Sequence, residues 1–136
     1  MDEIFLIGRL MFCFLIVMSG VGHLMATDAM AGYAEMRGVS NAKLMTQVSG
    51  VALLAGGLSV ALGIFGDLGA LGLAILLVIM AVTMHAFWKE TDAMNKQMEM
   101  VAFNKDIALA GGALVMFSIL SSDFAPYTLV DPFINW

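Results

Sequence analysis

Charge is what this chain has least of. Only 12% of its 136 residues are Asp, Glu, Lys or Arg, against 61% hydrophobic, which is roughly half the charged fraction of a soluble domain. That shortage excludes an ordinary water-soluble fold, and a mean hydropathy of +0.93 says the same. Basic residues are the scarcer kind: six Lys and Arg against eleven Asp and Glu give a net charge of −5. A nucleic-acid surface needs a cationic stripe, so no nucleic-acid partner is expected. The single cysteine, Cys13, sits in an apolar run. It excludes an internal disulfide and a Cys-x-x-Cys redox centre, and packing is its expected role. The two histidines, His23 and His85, have no HxxxH or HxxH spacing and make a weak metal signal. With one cysteine they are too few for haem or an iron–sulfur cluster. Neither a metal nor an intrinsic cofactor is therefore expected. No Gly-x-Gly-x-x-Gly follows a strand, because no segment reads as a strand. Met1-Asp2-Glu3 lacks the basic start of a secretory signal, and the apolar run behind it is too long for one. It is expected to stay as a first span.

What the chain does have is four long apolar runs, at about 4–26, 43–63, 68–87 and 102–120. Each is near the ~20 residues a helix needs to cross the hydrocarbon core. The expected fold is an all-α membrane protein: one domain over 1–136, an antiparallel four-helix transmembrane bundle with both termini on one side. In the first run Arg9, Cys13, Ile16, Gly20 and His23 recur at steps of three and four, which is one face of a helix. A stripe that mixes charge, small residues and an imidazole should face protein rather than lipid. Arg9 carries a second reading, snorkelling to headgroups. Asp28 to Met36 reads as a short interfacial helix capped by Asp28 and stopped by Gly38. Runs two and three are separated only by the turn at 63–67, hence a tight hairpin. Small-xxx-small pairs (Ala52/Gly56, Gly57/Ala61, Gly66/Ala70 and, in the last run, Ala108/Gly112) permit close helix approach. Segment 89–102 is polar but carries Met94, Met98 and Met100, and reads as an amphipathic piece on the membrane surface. The tail 121–136, with Phe124, Tyr127, Phe133 and Trp136, reads as an interfacial aromatic segment or a docking strip for a partner. Arg37, Lys43, Lys89, Lys96 and Lys105 flank the first and third loops, so the positive-inside rule puts those loops in the cytoplasm and both termini outside.

Lys105 and Asp106 stand at the mouth of the fourth run. Ionisable groups so close to a span are costly and usually face protein or trapped water. Alternating helix directions bring the ends of runs one and three to the starts of runs two and four. That collects His23, Gln47, His85, Trp88, Lys105 and Asp106 on one face. His23, His85 and Asp106 are the candidates for proton transfer, because imidazole titrates near neutrality and a carboxylate can hold its tautomer. Gln47, Trp88 and Lys105 are the candidates for ligand contact. The plainer reading is that Lys105 and Asp106 mark the membrane boundary, the histidines bond to neighbouring backbone, and Trp88 is an interface anchor.

Phe14-Leu15-Ile16-Val17-Met18-Ser19-Gly20-Val21-Gly22-His23-Leu24 resembles the first span of the DoxX family. Gly56-Gly57 through Gly63-Ile64-Phe65 is similar to its middle hairpin, and His85-Ala86-Phe87-Trp88 with Phe103 to Gly112 to its third-loop signatures. His23 stands where a lysine is common and Asp67 where an arginine is common. The resemblance implies a four-helix membrane bundle in the cytoplasmic membrane of a bacterium or archaeon. It also implies company with quinone-linked sulfur oxidoreductases and redox-stress assemblies, hence a quinone as the cofactor and other subunits as partners besides the lipid bilayer. Three readings of function follow. The first is a non-catalytic subunit that anchors or stabilises a redox-linked complex. The second is a quinone-reactive subunit of a membrane oxidoreductase, and the third a transporter or cargo-type membrane protein.

Overall fold

The computed structural model describes residues 1–122 and 125–134. Its elements are α1 (Asp2–Met25), α2 (Thr27–Met36), α3 (Ala42–Leu62), α4 (Gly66–Met84), a 3-10 turn (Phe87–Lys89) and α5 (Ala93–Leu120). Four of these, α1, α3, α4 with the turn that follows it, and α5, are long and apolar enough to span a membrane. Helix is the solution hydrocarbon demands, since it satisfies every backbone N–H and C=O within the segment.

Small residues set which helices touch. A Cβ on Gly20 would lie 2.9 Å from Gly50 O and Leu54 N, and one on Gly57 2.8 Å from Val17 Cγ2. Numbers rise along α1 as they fall along α3, so the two run in opposite directions. Gly56 meets Leu73 of α4 in the same opposed sense, and Gly66 meets Leu120 of α5. The main packing order is thus α1, α3, α4, α5, with Phe12 of α1 closing on Gly112 of α5. Ile16, Leu53, Val60, Leu73, Leu77 and Leu120 make up much of the core between them. The stripe expected to face inward on α1 does so: Arg9, Cys13, Ile16 and Gly20 are buried. In α5 the buried small residues are Ala110 and Ala113, whereas Ala108 is exposed, because the α5 register is set by the face that meets α4.

Three expectations need correction. Asp28 does not cap α2; it pairs with Lys43 at 2.8 Å, and Ala26 is the N-cap without a side-chain bond. The fourth helix does not begin near Ala102. It starts at Ala93, where Asp92 Oδ2 accepts from Asn95 N, so the methionine-rich segment is the first turns of one 28-residue helix. That length, about 42 Å at 1.5 Å per residue, exceeds a hydrocarbon core of roughly 30 Å. Arg9 does not snorkel. It is 1% exposed and donates from Nη2 to Tyr127 O (2.7 Å) and from Nη1 to Pro126 O (3.2 Å).

The tail it holds folds back on its own bundle. Leu129 N and Val130 N donate to Gly63 O at 3.2 and 3.1 Å, and Ile134 N donates to Oδ2 of the buried Asp67 at 2.6 Å. Gly63 is required here: its φ is +62°, and a Cβ would stand 2.6 Å from Thr128 Cα. Of the aromatics expected to form an outward strip, Tyr127 and Phe133 are exposed, Phe133 edge-on to Phe65 at 6.3 Å. Phe124 and Trp136 lie outside the described residues. Arg9, Asp67 and the tail therefore seal one end of the bundle, and the other end holds the cavity.

Candidate functional site

Helix α5 lays out the site as a ladder. Glu99, Phe103, Asp106 and Ala110 follow at steps of four, three and four, one face of a helix. That face turns to the end of α4, where the chain leaves the helix at His85 (φ −111°). The imidazole thus sits between two turns of α5. Its Nδ1 is 2.8 Å from Glu99 Oε2 and its Nε2 is 3.6 Å from Asp106 Oδ2.

Glu99 is fully engaged. Its Oε1 accepts from Tyr33 OH at 2.5 Å and from Arg37 Nη2 at 2.6 Å. Arg37 reaches on to Glu90 Oε1 at 2.5 Å and lies over the Tyr33 ring at 5.0 Å. Helix α2 makes this possible by carrying Tyr33 in its last turns and Arg37 at its C-cap. Burial, and next the bond to Glu99, raises the Tyr33 phenol above its ordinary value. Burial works against the Arg37 charge, but its bonds to Glu90 and Tyr33 outweigh that, and its pKa rises. A carboxylate bonded this way is a fixed anion, and it holds the Nδ1 proton of His85.

Asp106 is the opposite case. Its side chain is 4% exposed; Oδ1 is 3.4 Å from Lys105 Nζ, and Oδ2 has no hydrogen-bond partner in the protein. It faces a cavity of about 600 Å³ between the helices. His23, Thr46, Ser49, His85, Lys105 and Asp106 supply its polar wall; Leu53, Leu77, Met80 and Leu109 are among the apolar ones. At His23, Ser49 Oγ spends its proton on Thr46 O (3.0 Å) and so accepts from His23 Nδ1 (2.9 Å).

The structure therefore brings His23, His85, Lys105 and Asp106 to one cavity, as the alternation of spans implies. Two candidates fall away. Gln47 is exposed, one position beyond the inward-facing Thr46 and hence about 100° round the helix. Trp88 is 50% exposed and stacks edge-on against Phe87 and Phe103 at 5.2 and 5.7 Å, because the 3-10 turn carries it past the cavity. Tyr33, Arg37, Glu90 and Glu99 were not anticipated. For Glu99 a signal existed: stepping back from Asp106 by three and then four reaches it, once the helix is allowed to continue past Ala102. Among the described residues no group of three or more His, Cys, Asp or Glu side chains is arranged to hold a metal ion.

Comparison with curated proteins and with solved structures gave no match. The DoxX family pattern matches residues 4–86, from the first turn of α1 to the residue after His85. Glu99 and Asp106 lie beyond the matched stretch, on the helix that completes the bundle. With well over half of the 136 residues matched on a chain that has four candidate spans, this protein belongs to the DoxX family.

Proposed function

We propose that this protein is a small membrane subunit of a redox-linked complex whose cavity receives the head of an apolar ligand of the quinone class. The observation that carries the reading is Asp106: a carboxylate nearly closed off from solvent, with one oxygen unpartnered, on the wall of a largely apolar cavity. An ionisable group in a span is costly enough to be a functional candidate by default. The cavity volume, about 600 Å³, falls within the ~300–1,000 Å³ of small-molecule sites, which pair apolar walls with a few convergent polar groups. Behind the cavity, His85, Glu99 and Arg37 form a chain of bonds to Glu90. His85 is placed to take a proton leaving the ligand, and Glu99, held as an anion by Tyr33 and Arg37, orients the imidazole and offsets its charge. Electrons pass through a carrier on a partner subunit. The spans are continuous helices, which favours a fixed binding subunit over a transporter built on broken helices.

Two measurements test this. Purification from native membranes in mild detergent should bring partner subunits along with the chain; a chain that purifies alone would end the subunit reading. Equilibrium binding of a short-chain quinone and its reduced form to the purified protein should saturate at one site for at least one of the two. Absence of saturable binding by both would end the cavity reading.

A further inference from the structure

The cavity's polar wall also specifies which kind of head group it holds. We infer that the site selects a hydroxyl-bearing head, a phenol or hydroquinone, over the corresponding carbonyl form. This rests on the cavity reading above and goes further than it. Asp106 Oδ2 is an acceptor without a partner in the protein, and His85 Nε2 stands 3.6 Å from it. That separation is too long for a hydrogen bond, so neither atom satisfies the other. Glu99 holds the Nδ1 proton of His85 at 2.8 Å, so in neutral imidazole Nε2 is a second acceptor. Two acceptors converging on an apolar cavity call for a donor. A hydroxyl donates to Asp106 or to His85. When His85 is charged, a hydroxyl still fits, accepting from Nε2–H while donating to Oδ2. A carbonyl oxygen can only accept, and would set its lone pairs against the carboxylate. Lys105 does not rescue the carbonyl, because its ammonium is 3.4 Å from Asp106 Oδ1 and its side chain is 56% exposed.

The experiment uses the full chain in detergent and four probes of one alkyl series: a hydroquinone kept reduced, its quinone, its dimethyl ether, and a redox-inert alkylphenol. The hydroquinone and the phenol should bind about tenfold or more tightly than the ether and the quinone, the ratio expected of one hydrogen bond to a buried charge. Similar hydroquinone and phenol affinities identify any hydroxyl lipid as the ligand, whereas a clear hydroquinone advantage identifies the redox pair. In Asp106→Asn, Lys105 keeps the amide oxygen at the Oδ1 position and the NH₂ turns into the cavity as a donor. That variant should therefore narrow the preference, gaining affinity for the quinone while the hydroquinone keeps only His85 Nε2 to donate to. Unchanged affinity for the ether shows that its cavity is intact; should the variant fail to fold, the wild-type series alone decides. Equal binding of all four probes by wild type would overturn the selection and leave the cavity reading standing. An Asp106→Asn protein that keeps the full wild-type hydroxyl preference would overturn the assignment to Asp106, and no binding of any probe would remove the cavity reading itself.

Discussion

Two carboxylates seven positions apart on α5 should respond oppositely to losing their charge, and the size of the difference follows from their partners. Glu99 accepts from Tyr33 OH, Arg37 Nη2 and His85 Nδ1 at 2.5, 2.6 and 2.8 Å. Bonds to a charged group contribute about 1.5–3 kcal/mol each against about 0.5–1.5 for neutral pairs. Glu99→Gln therefore loses roughly 1 kcal/mol per bond, and its NH₂ must also face one of three donors; we expect a loss of about 2–4 kcal/mol. Asp106 has an oxygen with no partner, which costs about 1–3 kcal/mol where it is. Its pair with the exposed Lys105 offsets at most about 1 kcal/mol. Asp106→Asn should accordingly leave stability unchanged or raise it by up to about 2 kcal/mol. Reversible unfolding of the purified protein in mixed micelles, followed by helical circular dichroism, measures both. A cycle with Arg37→Gln should recover part of the Glu99 loss, since the two share a bond. An Asp106→Asn variant that loses as much as Glu99→Gln would refute the division into an anchored carboxylate and a free one.

Further expectations follow from the two ends of the bundle. Gly63→Ala meets both a left-handed φ and the Thr128 backbone, and should cost about 3 kcal/mol, from strain of about 1–2 plus the weakened Leu129 and Val130 bonds. Gly38→Ala, at φ +83° with open space, should cost only the strain of about 1–2 kcal/mol; equal losses, or a Gly63→Ala tail no easier for a protease to clip, would contradict the docking of the tail at Gly63. The raised Tyr33 phenol contributes stability that is full below its ordinary pKa near 10 and lost as pH rises through the folded value. Above about pH 10, the unfolding free energy should therefore fall more steeply with pH in wild type than in Tyr33→Phe, and equal slopes would count against this. Arg9 is committed to the tail carbonyls, leaving the basic residues at the cavity end to set orientation. A C-terminal tag should be labelled from outside intact cells, and labelling only after the membrane is opened reverses the orientation.

Much of this architecture is legible in the residue order, for a physical reason. Hydrocarbon admits only helices and closed barrels, and continuous apolar runs of about 20 residues fit helices, while a stripe such as Arg9, Cys13, Ile16 and Gly20 has only one protected face to turn to. Alternation of spans then brings His23, His85, Lys105 and Asp106 to one end without any knowledge of their contacts. What periodicity could not decide was partnership. Arg9 reads equally as snorkelling or buried until the tail is seen returning to it from more than a hundred residues away. Gln47 and Thr46 are neighbours in sequence, but only the rotation of α3 against its partners shows that Thr46 is buried and Gln47 exposed. The polarity of 89–102 hid Glu99, because polar composition suggests a surface piece separate from the span whereas the spanning helix already begins within it, at Ala93. The cluster of Tyr33, Arg37, Glu90 and Glu99 joins three separate segments, and such a network exists only once those segments are packed. Sequence alone thus determined the medium, the helices and the end of the bundle where charge collects, because those depend on local hydrophobicity and period. Tertiary structure decided which charge is satisfied and which is free, because that depends on distances between residues that share no local pattern.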